Sequence, residues 1–360
     1  MTIRDIARMA KVSHTTVSRA LNDDPRVQEK TKKRILALVN KLGFKPDARA
    51  RNLALKKSKL IGLVVTDIRN PFYGDLARGI EDKAHQLGYN VIFCSTDHKS
   101  ERMDSYVDLM LDVGVDGFIF ASSRLHEPAV ERLIEKRFPL VLVNRKLKTE
   151  NYSYVVLDNF KGAYDITKHL IDLGYRRIAI IDGPSNVFTG LERLKGYQRA
   201  LKDHDITVRP DYIFQGNFAR ATGYEGAKRL LMMDGRPEAI FSGSDYIAMG
   251  VFDAIEELGL KIPEDLALVG FDDTEFASNQ RIRLTTVSQR EYTMGGLGVQ
   301  ILIDYIENKE GDYVHKVVLE SKLVIRESCG CKLRNPECCR KRVMLFTKEA
   351  LRAQRGDRFI

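Results

Sequence analysis

Between residues 60 and 328, apolar runs of strand length alternate with amphipathic stretches of helical length. This alternation predicts an α/β core of parallel sheets covered by helices on both faces, because each crossover between parallel strands returns through a helix. The strand candidates are Leu60–Thr66, Val91–Ser95, Gly117–Ala121, Leu140–Asn144, Arg177–Asp182, Ala239–Ser242 and Leu266–Phe271.

The alternation forms two successive series, one before and one after about residue 158. A helix-ending Leu-Gly pair recurs at residues 87–88, 173–174 and 258–259. We therefore expect two similar parallel-sheet lobes with a cleft between them. Ligands of such sheets bind at the carboxyl ends of the strands, so the residues that directly follow strands are the site candidates.

Those strand-end positions carry aromatic rings, amides, two arginines and an aspartate. Such a set suits a polyhydroxylated ring, because Arg and Asp can each hold two neighbouring hydroxyls and an aromatic face stacks on C–H surface. Taken singly, each residue is more often a cap or an ion-pair member, and Asp245 is expected to cap the helix that starts there. The candidate ligand-binding residues are Asn70, Phe72, Tyr73, Asn144, Arg145, Arg193, Phe218, Ser244, Asp272 and Gln289.

A dinucleotide-dependent enzyme would share this fold class, so the exit of the first strand is informative. Residues 67–73 read DIRNPFY and lack the glycine-rich turn that brings a backbone close to phosphate. The sequence also has no P-loop, no G-x-S-x-G elbow and no core cluster at metal-ligand spacing. We therefore predict a non-enzyme, with no catalytic residue, no metal and no cofactor.

The first 45 residues predict three short helices. Thr2 can cap the first, with Asp5 near its positive end; the second runs from His14 to about Leu21; the third runs from Glu29 to Leu42 and ends at Gly43. Two short helices around a tight turn, with a supporting third, are helix-turn-helix geometry. The pattern alone also fits any small three-helix bundle, so the charge distribution is needed to decide.

Charge divides the chain sharply. Residues 1–59 hold 16 Lys and Arg against 5 Asp and Glu, while residues 60–325 hold 32 against 40 and residues 326–360 hold 10 against 4. A small basic head on a large acidic body is typical of a DNA-binding module joined to a domain that does not bind DNA. The helical pattern and the charge distribution together favour double-stranded DNA as a partner.

Three stretches carry a close resemblance to one family. They are TIRDIARMAKVSHTTVSRALN at 2–22, GFKPDARARNLA at 43–54 and KLIGLVVTDIRNPFY at 59–73. The chain resembles the lactose-repressor (LacI/GalR) family of bacterial regulators through about residue 328, and the V-S-x-x-T-V-S-R stretch from Val12 to Arg19 is highly specific. One departure is Lys11, where many members carry Gly; a non-Gly residue there costs about 1 kcal/mol in the left-handed conformation.

The resemblance implies a DNA-binding domain at 1–45 and a hinge helix or linker at 46–59. It makes His14, Thr15 and Arg19 the main base readers and Leu53 a side chain that wedges between base steps in the minor groove. The implied DNA-binding residues are His14, Thr15, Thr16, Ser18, Arg19, Asn22, Arg49, Arg51 and Leu53.

For the core, the resemblance implies the fold of type I periplasmic binding proteins over residues 60–328. The first lobe would comprise about 60–157 and 287–318, and the second about 158–286 and 319–328. Apart from Ser244, the candidate cleft residues match positions that hold sugar in sugar-binding members. Members that read a phosphoprotein instead lack an arginine at the position of Arg193. The resemblance also implies a homodimer on a pseudo-palindromic operator.

The predicted function is a sequence-specific transcriptional regulator, expected to be a repressor, whose operator affinity is controlled allosterically by a small effector, foremost a sugar. The alternatives are a purine, a sugar phosphate or a protein partner as effector, or a binding protein without DNA function. With no apolar run of about 18 residues and no apolar stretch at the N-terminus, we expect no membrane association. The expected location is the cytoplasm, at the nucleoid when operator-bound.

The cysteines are unevenly placed. Cys94 lies in an apolar run and is expected to be a small buried hydrophobe. Cys329, Cys331, Cys338 and Cys339 crowd the C-terminal stretch, and their spacing matches no familiar zinc site. Residues 329–360 are therefore expected to form a mobile basic tail, with a thiol-based redox role and a metal site as the alternatives.

Overall fold

A computed structural model describes residues 2–21, 23–43, 58–308 and 314–334. The chain divides into two compact units, residues 1–58 and 59–360. The first unit contains α1 (Ile3–Met9), α2 (His14–Leu21) and α3 (Glu29–Lys41). The predicted hinge at 46–59 lies outside the described residues except for its last two positions.

The first unit follows the sequence prediction closely. Thr2 and Asp5 form a capping box at the start of α1, in which the Thr2 amide donates to Asp5 Oδ2 at 2.8 Å and the Asp5 amide donates to Thr2 Oγ1 at 3.3 Å. Lys11 has a φ of +50°, so the turn between α1 and α2 does use the left-handed conformation. Ile6, Val17 and Ile35, one from each helix, are buried in the shared core.

The second unit opens with five strands and three helices in alternation, and then continues through the second sheet. Its first part comprises β1 (Leu60–Val65), α4 (Phe72–Gln86), β2 (Asn90–Ser95), α5 (Ser100–Val113), β3 (Gly117–Ala121), α6 (Pro128–Glu135), β4 (Leu140–Val143) and β5 (Ser153–Leu157). The next part comprises α7 (Asn159–Asp172), β6 (Ile178–Asp182), α8 (Phe188–Asp203), a 3₁₀ turn (Pro210–Tyr212), β7 (Ile213–Gln215), α9 (Arg220–Leu231), β8 (Ala239–Ser242), α10 (Asp245–Glu257) and β9 (Ala267–Val269). The last part comprises α11 (Glu275–Ser278), β10 (Thr286–Ser288), α12 (Glu291–Glu307), β11 (Lys316–Leu319), β12 (Lys322–Val324) and α13 (Cys331–Arg334).

These strands form two parallel sheets. The first has the order β11-β5-β4-β3-β1-β2, and the second has the order β7-β6-β8-β9. Strands β10 and β12 pair as an antiparallel ribbon, and bridges from Thr285 and Ser288 join it to the carboxyl end of the second sheet. Strands such as β3 are buried along their whole length, which explains their continuous apolar sequence.

The helix pair α4 and α12 covers the first sheet through an unusually close contact. A Cβ placed on Gly79 of α4 would lie 2.1 Å from the backbone oxygen of Tyr292 in α12, so only glycine permits this approach. No helix in the described ranges is both long and apolar enough to cross a membrane.

The C-terminal stretch differs from the prediction of a tail that is mobile from residue 329. Cys329 and Cys331 are fully buried, Cys329 Sγ lies 3.3 Å from His169 Nε2, and the Tyr175 hydroxyl donates to the Cys329 backbone oxygen at 3.2 Å. Because these small apolar side chains extend the core, residues 329–331 are packed, whereas residues 332–334 of α13 are exposed. Cys338 and Cys339 lie outside the described residues. Cys94 is only half-buried, because β2 is the edge strand of its sheet.

Candidate functional site

One cavity in the second unit lies at the carboxyl ends of strands from both sheets. We call it the inner cavity. All ten candidate ligand residues line it, together with one that the sequence analysis missed, Thr189. Residues spread over 220 positions of sequence therefore meet around one small space: Asn70, Phe72, Tyr73, Asn144, Arg145, Thr189, Arg193, Phe218, Ser244, Asp272 and Gln289.

The wall contributed by the first sheet is tied together by hydrogen bonds. Asn70 Oδ1 accepts the Phe72 amide at 3.0 Å and so fixes the turn from β1 into α4. The Arg145 guanidinium donates to the Tyr73 hydroxyl at 3.0 Å and to the backbone oxygen of Asn144 at 2.7 Å. Asn144 has a φ of +57°, which turns the chain sharply after β4.

The opposite wall is organised around Arg193 of α8. Its Nε donates to Asn159 Oδ1 at 2.9 Å and its Nη1 donates to the Gly243 backbone oxygen. The guanidinium carbon lies 3.8 Å from the ring centre of Phe271 and 5.6 Å from that of Phe218. The side chain is only 2% exposed, yet an arginine remains charged even where burial lowers its pKa.

Asp272 supplies the compensating charge. Its Oδ1 lies 3.9 Å from Arg193 Nη2 and accepts a hydrogen bond from Gln289 Nε2. Burial raises the pKa of Asp272, and the charge of Arg193 opposes that rise. Asp182, just behind this wall, has its pKa raised to about 7 by burial, again against the effect of Arg193.

Three polar atoms of the cavity wall are buried and make no hydrogen bond within the described chain: Asn144 Oδ1, Thr189 Oγ1 and Gln289 Oε1. An unsatisfied buried polar group costs about 1–3 kcal/mol, so three around one cavity call for an explanation. All three can accept a hydrogen bond from a hydroxyl group in the cavity. Thr189 lies one helical turn before Arg193 on α8, which is the sequence signal that could have found it.

The prediction for Asp245 is wrong in detail. The helix cap is Ser244, whose Oγ accepts the Ile247 amide at 3.1 Å. Asp245 is instead fully buried behind the cavity wall, where its carboxylate accepts hydrogen bonds from Thr274 and Thr286. It is structural, as expected, but it holds the loop after β9 rather than the helix end. Burial raises its pKa, with Asp272 adding to the effect.

The second candidate site is the exposed face of α2. His14, Thr15 and Arg19 are exposed, while Thr16 and Ser18 are partly buried and Val17 and Ala20 face the core. Ser13 Oγ accepts the Thr16 amide at 3.1 Å and caps the helix. Arg19 lies 4.0 Å from Asp24, so its guanidinium is not locked in a hydrogen bond. The remaining candidates, Asn22, Arg49, Arg51 and Leu53, lie outside the described residues.

Two family models match the chain. Residues 2–47 match bacterial regulatory proteins of the lacI family, and residues 58–327 match the periplasmic binding proteins and sugar-binding domain of the LacI family. Together they cover both compact units.

Individual proteins give the same picture. The chain is 37% identical to catabolite control protein A of Priestia megaterium over 91% of this chain and 99% of that one. It is 26% identical to the lac repressor dimer bound to operator and the anti-inducer ONPF, with a TM-score of 0.81 over 91% of this chain and 99% of that one. A complex of the transcriptional regulator CelR with cellobiose is 28% identical, with a TM-score of 0.68 and the same coverage.

Proposed function

The chain belongs to the LacI family of bacterial regulatory proteins, and from that premise we propose that a sugar bound in the inner cavity controls its affinity for operator DNA. The observation that carries this proposal is the convergence of eleven side chains on one cavity that retains three unsatisfied acceptor atoms. A sugar ring supplies the matching donors, because each hydroxyl can donate one hydrogen bond and accept others.

Each part of the cavity has a defined role in this proposal. Arg193 and Asp272 hold adjacent ring hydroxyls from one side, and Asn144 accepts from the other side. Phe218 covers one face of the ring; its own position is fixed by Gly183, since a Cβ there would lie 2.3 Å from the Phe218 ring. Arg145 and Tyr73 close the end of the cavity.

Regulation follows from linkage between two sites. Three crossings of the chain join the two sheets: after β5, between β10 and α12, and between β11 and β12. A ligand that contacts both sheets therefore favours one relative orientation of the sheets. If that orientation disfavours the DNA-bound form, sugar and operator lower each other's affinity by the same factor. We propose this sign, which makes the protein a repressor released by its effector.

The exposed face of α2 would read bases in the major groove, with Leu53 in the minor groove. Two heads of a homodimer would read the two halves of a pseudo-palindromic operator. The relatives are regulators rather than enzymes, and we assign no catalytic residue, no metal and no cofactor beyond the effector. We place the protein in the cytoplasm, at the nucleoid when bound to DNA.

A thermal-shift screen of the full chain tests the effector class. The panel contains pentoses, hexoses, disaccharides, sugar phosphates and purines. We expect a sugar to raise the unfolding midpoint, because a ligand that binds only the folded state stabilises it. A response to purines alone would retain the regulator and overturn the sugar assignment.

A further inference from the structure

A second, larger cavity adjoins the inner one. We call it the outer chamber. The two cavities share Arg145 and Phe218 as wall residues, so they meet at these two side chains. An effector that fills the inner cavity can therefore extend a substituent into the outer chamber.

The outer chamber is rich in positive charge. Lys99, Arg124 and Arg145 line it, against a single carboxylate, Glu127. Glu127 is 4% exposed and accepts the Arg124 amide at 3.3 Å, and burial raises its pKa. The side chains that line the chamber thus include three cations and one carboxylate.

The start of α5 adds to this positive charge. Lys99 is the N-cap residue, Ser100 the first helical residue, and both line the chamber, while no side chain caps this helix end. The first turn of a helix carries free amides and the positive end of the helix dipole, a combination that binds phosphate in many proteins.

An independent observation points to a ligand in the same chamber. Ser123, two residues after the end of β3, is 5% exposed and lines the chamber, and its Oγ is buried with no hydrogen-bond partner in the described chain. The neighbouring hydroxyls of Thr96 and Ser122 bond to each other at 2.9 Å. The free Ser123 hydroxyl is thus available to donate to an anionic oxygen.

We propose that the effector is a phosphorylated sugar, whose ring lies in the inner cavity and whose phosphate lies in the outer chamber between Lys99, Arg124, Ser123 and the start of α5. The inference rests on the proposed function, because it names the class of sugar that the same site takes. A phosphate ester carries about −1.5 to −2 charges at neutral pH, which matches the excess of cations.

Calorimetry on the full chain with matched pairs tests the proposal: ribose and ribose 5-phosphate, glucose and glucose 6-phosphate, fructose and fructose 6-phosphate. Inorganic phosphate tests whether phosphate binds without a sugar. Glucuronate tests whether a carboxylate on the sugar can replace the phosphate ester. We expect at least one phosphorylated sugar to bind about tenfold or more tightly than its neutral partner, the effect of one charge-assisted hydrogen bond. Lys99→Gln and Ser123→Ala should each reduce that ratio, whereas Lys136→Gln, an exposed lysine of the same lobe that lines neither cavity, should preserve it.

Several results would overturn the proposal. Neutral sugars that bind as tightly as their phosphates, or glucuronate that binds best, would remove the phosphate subsite and leave the proposed function intact. A phosphate preference that survives both Lys99→Gln and Ser123→Ala would place the phosphate elsewhere. If neither neutral nor phosphorylated sugars bind, the proposed function fails and this inference fails with it.

Discussion

Arg193 Nη2 lies 3.9 Å from Asp272 Oδ1, and the two side chains are only 2% and 3% exposed. The distance is an ion-pair contact but too long for a hydrogen bond. Arg193 Nε donates to Asn159 and its Nη1 donates to Gly243, while Asp272 accepts from Gln289. The pair therefore keeps hydrogen-bonding capacity that faces the inner cavity, where a sugar hydroxyl can use it.

Replacement of Arg193 by alanine should abolish the response to effector and leave operator affinity close to normal. Removal of one partner from a buried pair also costs about 3–5 kcal/mol of stability, so folding must be checked by operator binding in the same sample. Arg199→Ala is the matched control, because this arginine lies on the same helix and pairs with Asp203 at the surface. Calorimetry that shows an unchanged effector affinity for the Arg193 variant would remove this residue from the site.

Thr189→Val should weaken effector binding without a loss of stability. The Thr189 hydroxyl is buried without a partner, so its removal should keep or raise the free energy of unfolding while it weakens effector binding. Thr167→Val is the control: the Thr167 hydroxyl is also buried but donates to Ala163 at 2.7 Å, so its loss should cost about 1 kcal/mol and leave effector affinity unchanged. Urea unfolding and calorimetry measure both effects. Equal effector affinity of wild type and Thr189→Val would show that the hydroxyl serves no ligand.

Asp182 should make stability depend on pH. Burial raises its pKa to about 7 from an ordinary value of 3.8, so the folded protein binds this proton more tightly than the unfolded chain does. The contribution of Asp182 to the free energy of unfolding should therefore fall between about pH 4 and pH 7, by a few kcal/mol at most, and level off above. Glu291, whose pKa burial raises to about 9, extends the same trend to higher pH.

Asp182→Asn should make the fall between about pH 4 and pH 7 shallower, and it should leave in place the contributions of Glu291, Asp245 and Asp272, whose pKa values burial also raises. The measurement is urea unfolding at half-unit pH steps, with Glu291→Gln as the complementary variant. Parallel profiles for wild type and Asp182→Asn would show that the Asp182 carboxyl is not responsible.

Arg19→Ala should weaken binding to the operator by about tenfold to a hundredfold, because one good base contact contributes about 1–3 kcal/mol of discrimination. Binding to random DNA should fall much less, since it depends on total charge. Lys41→Ala, an exposed cation at the end of α3, is the control. Fluorescence anisotropy with an operator selected from a random pool measures both affinities. An equal loss on both DNAs would make Arg19 a phosphate contact.

Much of the inner cavity could be predicted from the sequence because parallel strands bring their carboxyl ends to one edge of each sheet. Asn70, Asn144 and Asp272 each follow a strand recognisable from its apolar run, and all three line the cavity. Thr189 and Arg193 lie on a helix instead; Arg193 was found because a guanidinium can hold two neighbouring hydroxyls, whereas the sequence signal for Thr189 is its position one helical turn before Arg193.

The outer chamber and several strands were not predicted, for related reasons. Strands β7 and β11 lie at sheet edges and are short and only partly buried, so they lack the apolar run by which the central strands were found. Ser123 lies two residues after β3 ends at Ala121, yet a serine after a strand is common and gains meaning only from its burial without a partner. Cys329 looks like part of a polar tail in sequence, but its contacts with Tyr175 and His169 lie 154 and 160 residues earlier in the chain.

The most direct test of the account measures linkage in both directions. Operator affinity is determined with and without the effector found by the screen, and effector affinity is determined with and without operator. We predict that effector lowers operator affinity by the same factor as operator lowers effector affinity, that this factor is greater than one, and that both effects disappear in the Arg193→Ala variant. A sugar that binds the inner cavity and leaves operator affinity unchanged would contradict this prediction.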